Sequence, residues 1–386
     1  MNYKISYDTW DKKEIRSINN VIKSGNYSMG ENVKKFERAF SKKIGVKYSV
    51  MTNSGSSANL IGVASQFFLS KNNLKRGDEV LVPALGWSTT YSPLGQYGLR
   101  LKIIDISLDD LNIDFEKLKK AISKKTKMIC VVNLLGIPCN LAGIRELCDI
   151  NNIILYEDNC ESLGASLNNN NKTGTYGDFS THSFFFSHHI STIEGGMVST
   201  NNFEVYNILK CLRAHGWTRD LDVDSKISKK FSKDFESSYK FLLPGYNVRP
   251  NEINAAIGLE QIKKLDNMIK IRRKNLAIFQ KYFLNDDRFI IPKTIHKSSS
   301  FAFPIILKEN NKNERNTIFK RLKENKIEHR LIAGGNFTLH PHTKFYDFKI
   351  YKSLKNADKA HKNGFCVGNS SINLSKEIKF LYDILK

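Results

Sequence analysis

The 386-residue sequence predicts an α/β fold: a mixed, mainly parallel sheet covered by helices, followed by a smaller C-terminal α+β domain. Three observations predict it. Short continuous apolar runs recur at 77–85 (GDEVLVPAL), 128–136 (MICVVNLLG) and 151–159 (NNIILYEDN). Helical patterns separate them, and the runs lack polar alternation, which marks strands buried on both faces. From about residue 250 the texture changes to one long helical region followed by isolated strand and helix signals.

In order along the chain, 31–45 carries Val33, Phe36, Phe40 and Ile44 near a 3.6 period and ends on Gly45, an amphipathic helix with a glycine cap. Residues 48–68 give a short apolar run, a Ser/Gly turn, and a helix with Leu60, Val63, Ala64 and Phe67 on one side. GDEVLVPAL reads as a turn and a buried strand, and LAGIRELCDI (141–150) as the helix between two further strands. Residues 251–283 read as one long helical stretch, whole or broken. FAFPIIL (301–307) is a strand, 313–327 a helix, and a short helix closes the chain. The predicted domains are therefore 1–250 and 251–386, hinged on the long helix.

Composition narrows the class. With 41% hydrophobic residues a large core is available. The opening MNYKISYDTW is polar, unlike a signal peptide, and no run reaches the ~18–20 apolar residues of a membrane span. The six cysteines form no CxxC pair, which suits reduced thiols and predicts a cytoplasmic protein without membrane association. A formal charge of +22 is compatible with nucleic-acid binding. The lysines are nevertheless scattered rather than gathered with aromatics, so the expectation is no nucleic-acid partner and a general attraction for anionic substrates.

Three constellations carry chemistry. Asn53-Ser54-Gly55-Ser56-Ser57 sits at a strand-to-helix turn, where free N–H groups and the helix dipole suit a phosphate, although an ordinary cap has the same composition. Glu157-Asp158 follows the strand IILY, at the end of a parallel strand where ligands bind. An Asp there serves a metal, a ribose, a protonated ring nitrogen, or simply the next helix as a cap. The third is SFFFSHHISTIEGG (183–196). Adjacent histidines on a strand point to opposite faces, and no carboxylate or cysteine stands at zinc spacing, so no metal is expected.

In this order and spacing the three segments resemble the sugar aminotransferases of the aspartate aminotransferase (fold type I) superfamily, which bind pyridoxal 5'-phosphate. GNYSMG with Phe36-Glu37, Pro83 to Trp87, TGTYGDFS (173–180) and PGYNVRPNEINAAIGLEQ (244–261) add to the likeness. It runs from about Gly25 to Gln261 and is weaker in the C-terminal part. The resemblance implies that Asp158 pairs with the pyridinium nitrogen and Trp87 stacks on the ring. It also implies that the amides of Ser56 and Ser57, with the Ser183 hydroxyl, hold the phosphate. Asn247 would reach that phosphate from a partner subunit, implying a homodimer with shared active sites. Glu161 stands near the ring hydroxyl where the family often has Gln.

One position departs. The family's cofactor-binding lysine lies five residues after the Ser of the SF pair, and here that residue is His188. Imidazole cannot form the covalent link that the lysine makes, so the cofactor would be held by stacking, hydrogen bonds and phosphate contacts, or as pyridoxamine phosphate. Imidazole still moves protons near neutral pH. The change, with SHHIS, EDNCESLGA and AGGNFT (333–338), resembles the deoxysugar 3-dehydratases. That implies a lyase removing the C3 hydroxyl of a nucleotide-linked 4-keto-6-deoxy sugar of the GDP-4-keto-6-deoxymannose type, for O-antigen or capsule biosynthesis. L-Glutamate would be the amino donor, ammonia would be released, and His188 and Asp158 would be the catalytic pair. One branch of that subgroup carries an iron–sulfur cluster on C-terminal cysteines. Only Cys366 lies beyond Cys211 here, so no cluster is expected.

Four further residues are expected at the substrate. His215 and Arg219 lie in AHGWTRD, a loop near the family's active site, with an exposed polar loop as the plain alternative. Arg330 and Asn336 flank a C-terminal loop, and an arginine fork suits a diphosphate. The competing functions are a relative acting on another nucleotide sugar (CDP-, dTDP- or heptose-linked) and a non-catalytic regulator that kept the fold.

Overall fold

The computed structural model describes residues 2–222, 225, 239–293, 296–309 and 312–386. Its larger sheet has eight strands in the order β1-β7-β6-β5-β4-β2-β3-β11. These are β1 (Tyr48–Thr52), β2 (Glu79–Pro83), β3 (Arg100–Ile104), β4 (Thr126–Val132), β5 (Ile154–Asp158), β6 (Phe179–Ser183), β7 (Gly196–Thr200) and β11 (Phe348–Ile350). β7 alone runs against its neighbours, and every other pairing is parallel. β2 is buried throughout and β5 nearly so, which is why their sequences read as unbroken apolar runs.

Helices cover the sheet: α3 (Gly55–Ser65), α4 (Ser88–Gln96), α5 (Phe115–Ala121) and α6 (Leu141–Asn151) as crossovers, and α7 (Phe203–Arg213) after β7. Two helices precede β1. α1 (Lys12–Ser24) starts on an Asp11–Glu14 capping box, and α2 (Glu31–Ile44) ends on Gly45 at φ 96°, a left-handed cap that glycine adopts without strain.

The long helical stretch is a single helix, α8 (Glu252–Phe283), and packs against α1, α2 and the last helix, α11 (Ser375–Leu385). Beyond it, β8 (Phe289–Ile290), β9 (Ala302–Leu307), β10 (His329–Arg330) and β12 (Gly364–Gly368) form a four-stranded antiparallel sheet in the order β10-β12-β9-β8. Helices α9 (Lys312–Glu324) and α10 (Lys355–Asn363) accompany it. Its apolar cluster includes Phe279, Phe283, Phe303, Phe365 and Leu381, and also Tyr3, whose hydroxyl donates to the Gly368 carbonyl at 2.7 Å. The N-terminal segment thus docks on the second sheet, while β11 crosses back to the first. Lys349 of β11 is held there by Glu79, which also pairs with Lys102 at 2.8 Å. No helix among the described residues is long and apolar enough to cross a membrane.

Candidate active site

The carboxyl end of β5 puts Asp158 where α3 and α4 begin. Its side chain is buried, and each oxygen is engaged. Oδ2 accepts from Thr90 Oγ1 at 2.7 Å and Asn59 Nδ2 at 3.3 Å, and Oδ1 accepts from the Cys160 N–H at 3.1 Å. Three donors on one buried carboxylate fix its plane.

Beside it, the N-terminus of α3 meets the end of β6. A Cβ on Gly55 would lie 2.6 Å from Ser183 Cβ, and one on Gly196 would lie 2.2 Å from the Ser54 carbonyl oxygen. Glycine at both places lets helix and strands close up, so Ser183 stands at the positive end of the helix. Ser54 caps the helix by accepting the Ser57 N–H at 3.1 Å, and Ser56 Oγ donates to Thr89 at 3.0 Å. The Ser57 amide, expected at a phosphate, is thus held by its own cap in this structure.

Trp87 precedes α4 with 59% of its surface exposed, unusual for so large an apolar ring. The loop 332–340 packs alongside, with Gly334 at φ +81° near the indole. Asn336 shapes that loop rather than offering a free amide. It is fully buried, its Nδ2 donates to Asp358 at 2.8 Å, and its Oδ1 accepts from the Thr338 N–H and hydroxyl at 3.0 Å each. The expected contact of this side chain with substrate therefore does not fit its placement: its amide is spent on Asp358 of α10 and its oxygen on Thr338.

His188 lies in the loop between β6 and β7, half-buried between aromatic rings. Its ring centroid is 5.2 Å from that of Phe301 and 6.2 Å from that of Phe185. Its Nδ1 is buried with no hydrogen-bond partner among the described residues. Burial, then the positive charge of Arg272 and, more weakly, Arg330, pushes its pKa down to about 4, against the Phe185 carbonyl. The imidazole is therefore neutral at pH 7, with its charged form disfavoured. His189 turns the other way, into the interior, with Nε2 3.3 Å from the Ser299 carbonyl. The loop is tied down at Ser191, whose N–H donates to Gln261 Oε1 at 3.1 Å and whose carbonyl accepts from Trp10 Nε1 at 3.2 Å.

Glu161 Oε2 accepts from the Leu135 N–H at 2.9 Å. Burial pushes its pKa up to about 7; the Leu135 N–H opposes this and the Asp158 charge adds to it. Arg330 lies exposed on β10, opposite Cys366, and its field reaches His188.

The remaining predicted residues lie at or beside a cavity whose lining does not include His188. Asn247 is exposed, accepts from Arg249 Nε at 3.0 Å, and lines a cavity of about 1190 Å³ with Lys34, Arg38, Arg213 and Arg219. Arg219 lies over the Trp217 ring at 5.4 Å. His215 has φ +62°, and its N–H donates to the Tyr246 carbonyl at 2.6 Å.

Sequence reading missed Thr90, Asn59, Arg272 and Phe301. The threonine carries a weak signal, a polar residue in the first turn after a strand end; the other three become visible only through long-range packing.

The sequence profile of the DegT/DnrJ/EryC1/StrS aminotransferase family matches residues 8–377. The chain is 48% identical over 388 aligned positions to GDP-4-keto-6-deoxy-D-mannose 3-dehydratase of Yersinia pseudotuberculosis, covering 100% of this chain and 98% of that one. It is 46% identical to the protein of that name from Escherichia coli O55:H7, with 100% of both covered. Among solved structures it resembles the E. coli 3-dehydratase with bound hydrated PLP, and GDP-4-keto-6-deoxymannose-3-dehydratase with a trapped PLP–glutamate geminal diamine. Each gives a TM-score of 0.97 at 46% identity, with 100% of both chains covered.

Proposed function

The chain belongs to the DegT/DnrJ/EryC1/StrS aminotransferase family, and from that premise we propose that it is a pyridoxal/pyridoxamine phosphate-dependent 3-dehydratase acting on GDP-4-keto-6-deoxymannose in deoxysugar biosynthesis. The observation that carries the reading is His188: an imidazole at the lysine position, in the loop between β6 and β7, among otherwise intact cofactor residues. The relatives' names supply the nucleotide sugar, and the PLP–glutamate relative supports L-glutamate as donor.

The residues present fit the cofactor. Asp158 is a fixed, buried acceptor for a ring N–H, Trp87 offers an uncovered indole face, and Ser183 with the start of α3 offers donors to a phosphate. Asn247 is assigned to the phosphate of a partner subunit in a homodimer, supported by its exposure on a basic-lined cavity. When bound, the cofactor supplies an electron sink adjoining the sugar C4.

Around it the protein moves protons. His188 takes one at the cofactor C4′ carbon, and Asp158 holds the ring N–H that keeps the sink strong. The C3–O bond then breaks as its electron pair leaves with the hydroxyl, and His188 returns its proton to that oxygen as water departs. One water would release the sugar from the cofactor as an enamine, which takes a proton from solvent at C3 to become an imine; a second water then restores the C4 ketone and ammonia leaves. Across the whole cycle glutamate becomes 2-oxoglutarate and ammonia, and the sugar loses one oxygen. Arg330, with Arg219 and His215 from the cavity-side loop, is assigned to the substrate, the arginines to its diphosphate. Asn336 is assigned to holding the loop. Residues 1–250 would form the cofactor domain and 251–386 the second, in a cytoplasmic enzyme.

The test is turnover of GDP-, CDP- and dTDP-linked 4-keto-6-deoxy sugars with glutamate, following ammonia and product mass. A GDP-sugar lacking one oxygen is expected. An amino sugar as main product would overturn the reading.

A further inference from the structure

Beneath the histidine loop lies an arginine without an acidic partner. Arg272 of α8 is buried, and among the described residues no carboxylate pairs with it. Its Nη1 turns to carbonyls instead, donating to Asn369 O at 2.8 Å, Phe301 O at 3.2 Å and Ser300 O at 3.3 Å, while its buried Nε has no hydrogen-bond partner among the described residues. Burying a guanidinium on neutral acceptors is costly, and an apolar residue would fill the space more cheaply.

The carbonyls it holds belong to a constrained segment. Ser300 has φ +42°, the left-handed region that a serine enters only under strain. Asn369 Nδ2 supports the turn from below, donating to Ser300 O at 3.0 Å and Ser300 Oγ at 2.9 Å. On the other side, Phe301 N–H donates to Leu135 O at 2.9 Å and Ser299 N–H to Gly136 O at 3.0 Å. A Cβ on Gly136 would lie 2.5 Å from Ser300 N, so the two loops interlock. The product of this bracing is the position of the Phe301 ring, which packs on the rings of both His188 and His189.

We infer that Arg272 is a positioning residue for His188: through the Ser300 and Phe301 carbonyls it seats the Phe301 ring against the imidazole, and it keeps a positive charge behind that ring. The role rests on the dehydratase reading, which needs His188 to be neutral before it accepts a proton. The charged groups acting on His188 are Arg272 from α8 and Arg330 from β10, with His189 adjoining in the chain. Both arginines disfavour imidazolium. Arg272 is the larger influence, and as a buried group it is the less screened by salt.

The test uses full-length protein labelled at histidine Cε1, with the His188 resonance assigned by its loss in His188→Gln. In Arg272→Met the His188 titration moves to higher pH, and each unit of that shift leaves about tenfold less neutral imidazole below the midpoint. In Arg272→Lys, which keeps the charge, the midpoint stays near that of the parent. An unchanged titration in Arg272→Met overturns the inference. Should that variant not fold, Phe301→Leu carries the test: the His188 ring signal loses its ring-current displacement and kcat falls on the order of tenfold with KM unchanged. An unmoved His188 signal there overturns it. These spectra need no turnover, so an inactive parent protein would sink the functional reading and leave this one testable.

Discussion

Thr90 Oγ1 donates to Asp158 Oδ2 at 2.7 Å, and this bond ties the first turn of α4 to the end of β5. With Asn59 from α3 on the same oxygen, the carboxylate is oriented by two helices before any ligand arrives. Preorganisation of this kind spares the site a rearrangement on binding.

The first prediction tests that carboxylate. Asp158→Asn removes the charge facing the ring nitrogen, and retention of pyridoxal phosphate should weaken by ~10–100-fold, the worth of one hydrogen bond to a charged group. Thr90→Val should cost only severalfold. Absorbance-monitored dialysis checks both; equal losses would contradict the ranking.

A second prediction concerns pH. Glu161 has a folded-state pKa raised to about 7, above its ordinary value of 4.5. The folded state therefore holds a proton that the unfolded chain has released. The associated stability is present below pH 4.5 and is lost as pH rises through about 7. Glu161→Gln should then gain on the order of 2 kcal/mol relative to the parent at pH 8, and little at pH 4.5. Urea unfolding at the two pH values reads the difference.

A third concerns the loop beside Trp87. Asn336→Ala breaks the bonds to Asp358 and Thr338 and leaves the half-buried Asp358 carboxylate with one donor fewer and the Thr338 N–H without its acceptor. Stability should fall by ~1–3 kcal/mol, and KM for the nucleotide sugar should rise more than kcat falls. A change confined to kcat would point to direct participation instead.

Much of this site was legible in the sequence because its parts sit at strand ends within short motifs. Asp158 closes an apolar run, Ser183 opens the SFFFSHHISTIEGG segment, and His188 occupies a counted position within it. The parts that were not legible depend on distant chain. Asn336 looks like a ligand in AGGNFT, yet only the fold brings Asp358 to its amide. Arg272 sits in a long helix rich in basic residues, where nothing marks one of them as buried. Phe301 reads as the start of a strand, and its contact with His188 follows from the 299–301 segment interlocking with Gly136. The antiparallel insertion of β7 and the return of β11 to the large sheet likewise come from tertiary pairing, which local periodicity does not encode.

The central claim is that His188 moves the protons of hydroxyl removal in place of the lysine. The most direct measurement is a single turnover of pyridoxamine phosphate-loaded His188→Gln with GDP-4-keto-6-deoxymannose, read by product mass. Cofactor binding should persist while formation of the sugar lacking one oxygen slows by ~10²–10⁴-fold, the usual worth of a positioned acid–base group. A variant that binds the cofactor and still forms that product at the parent rate would contradict the account.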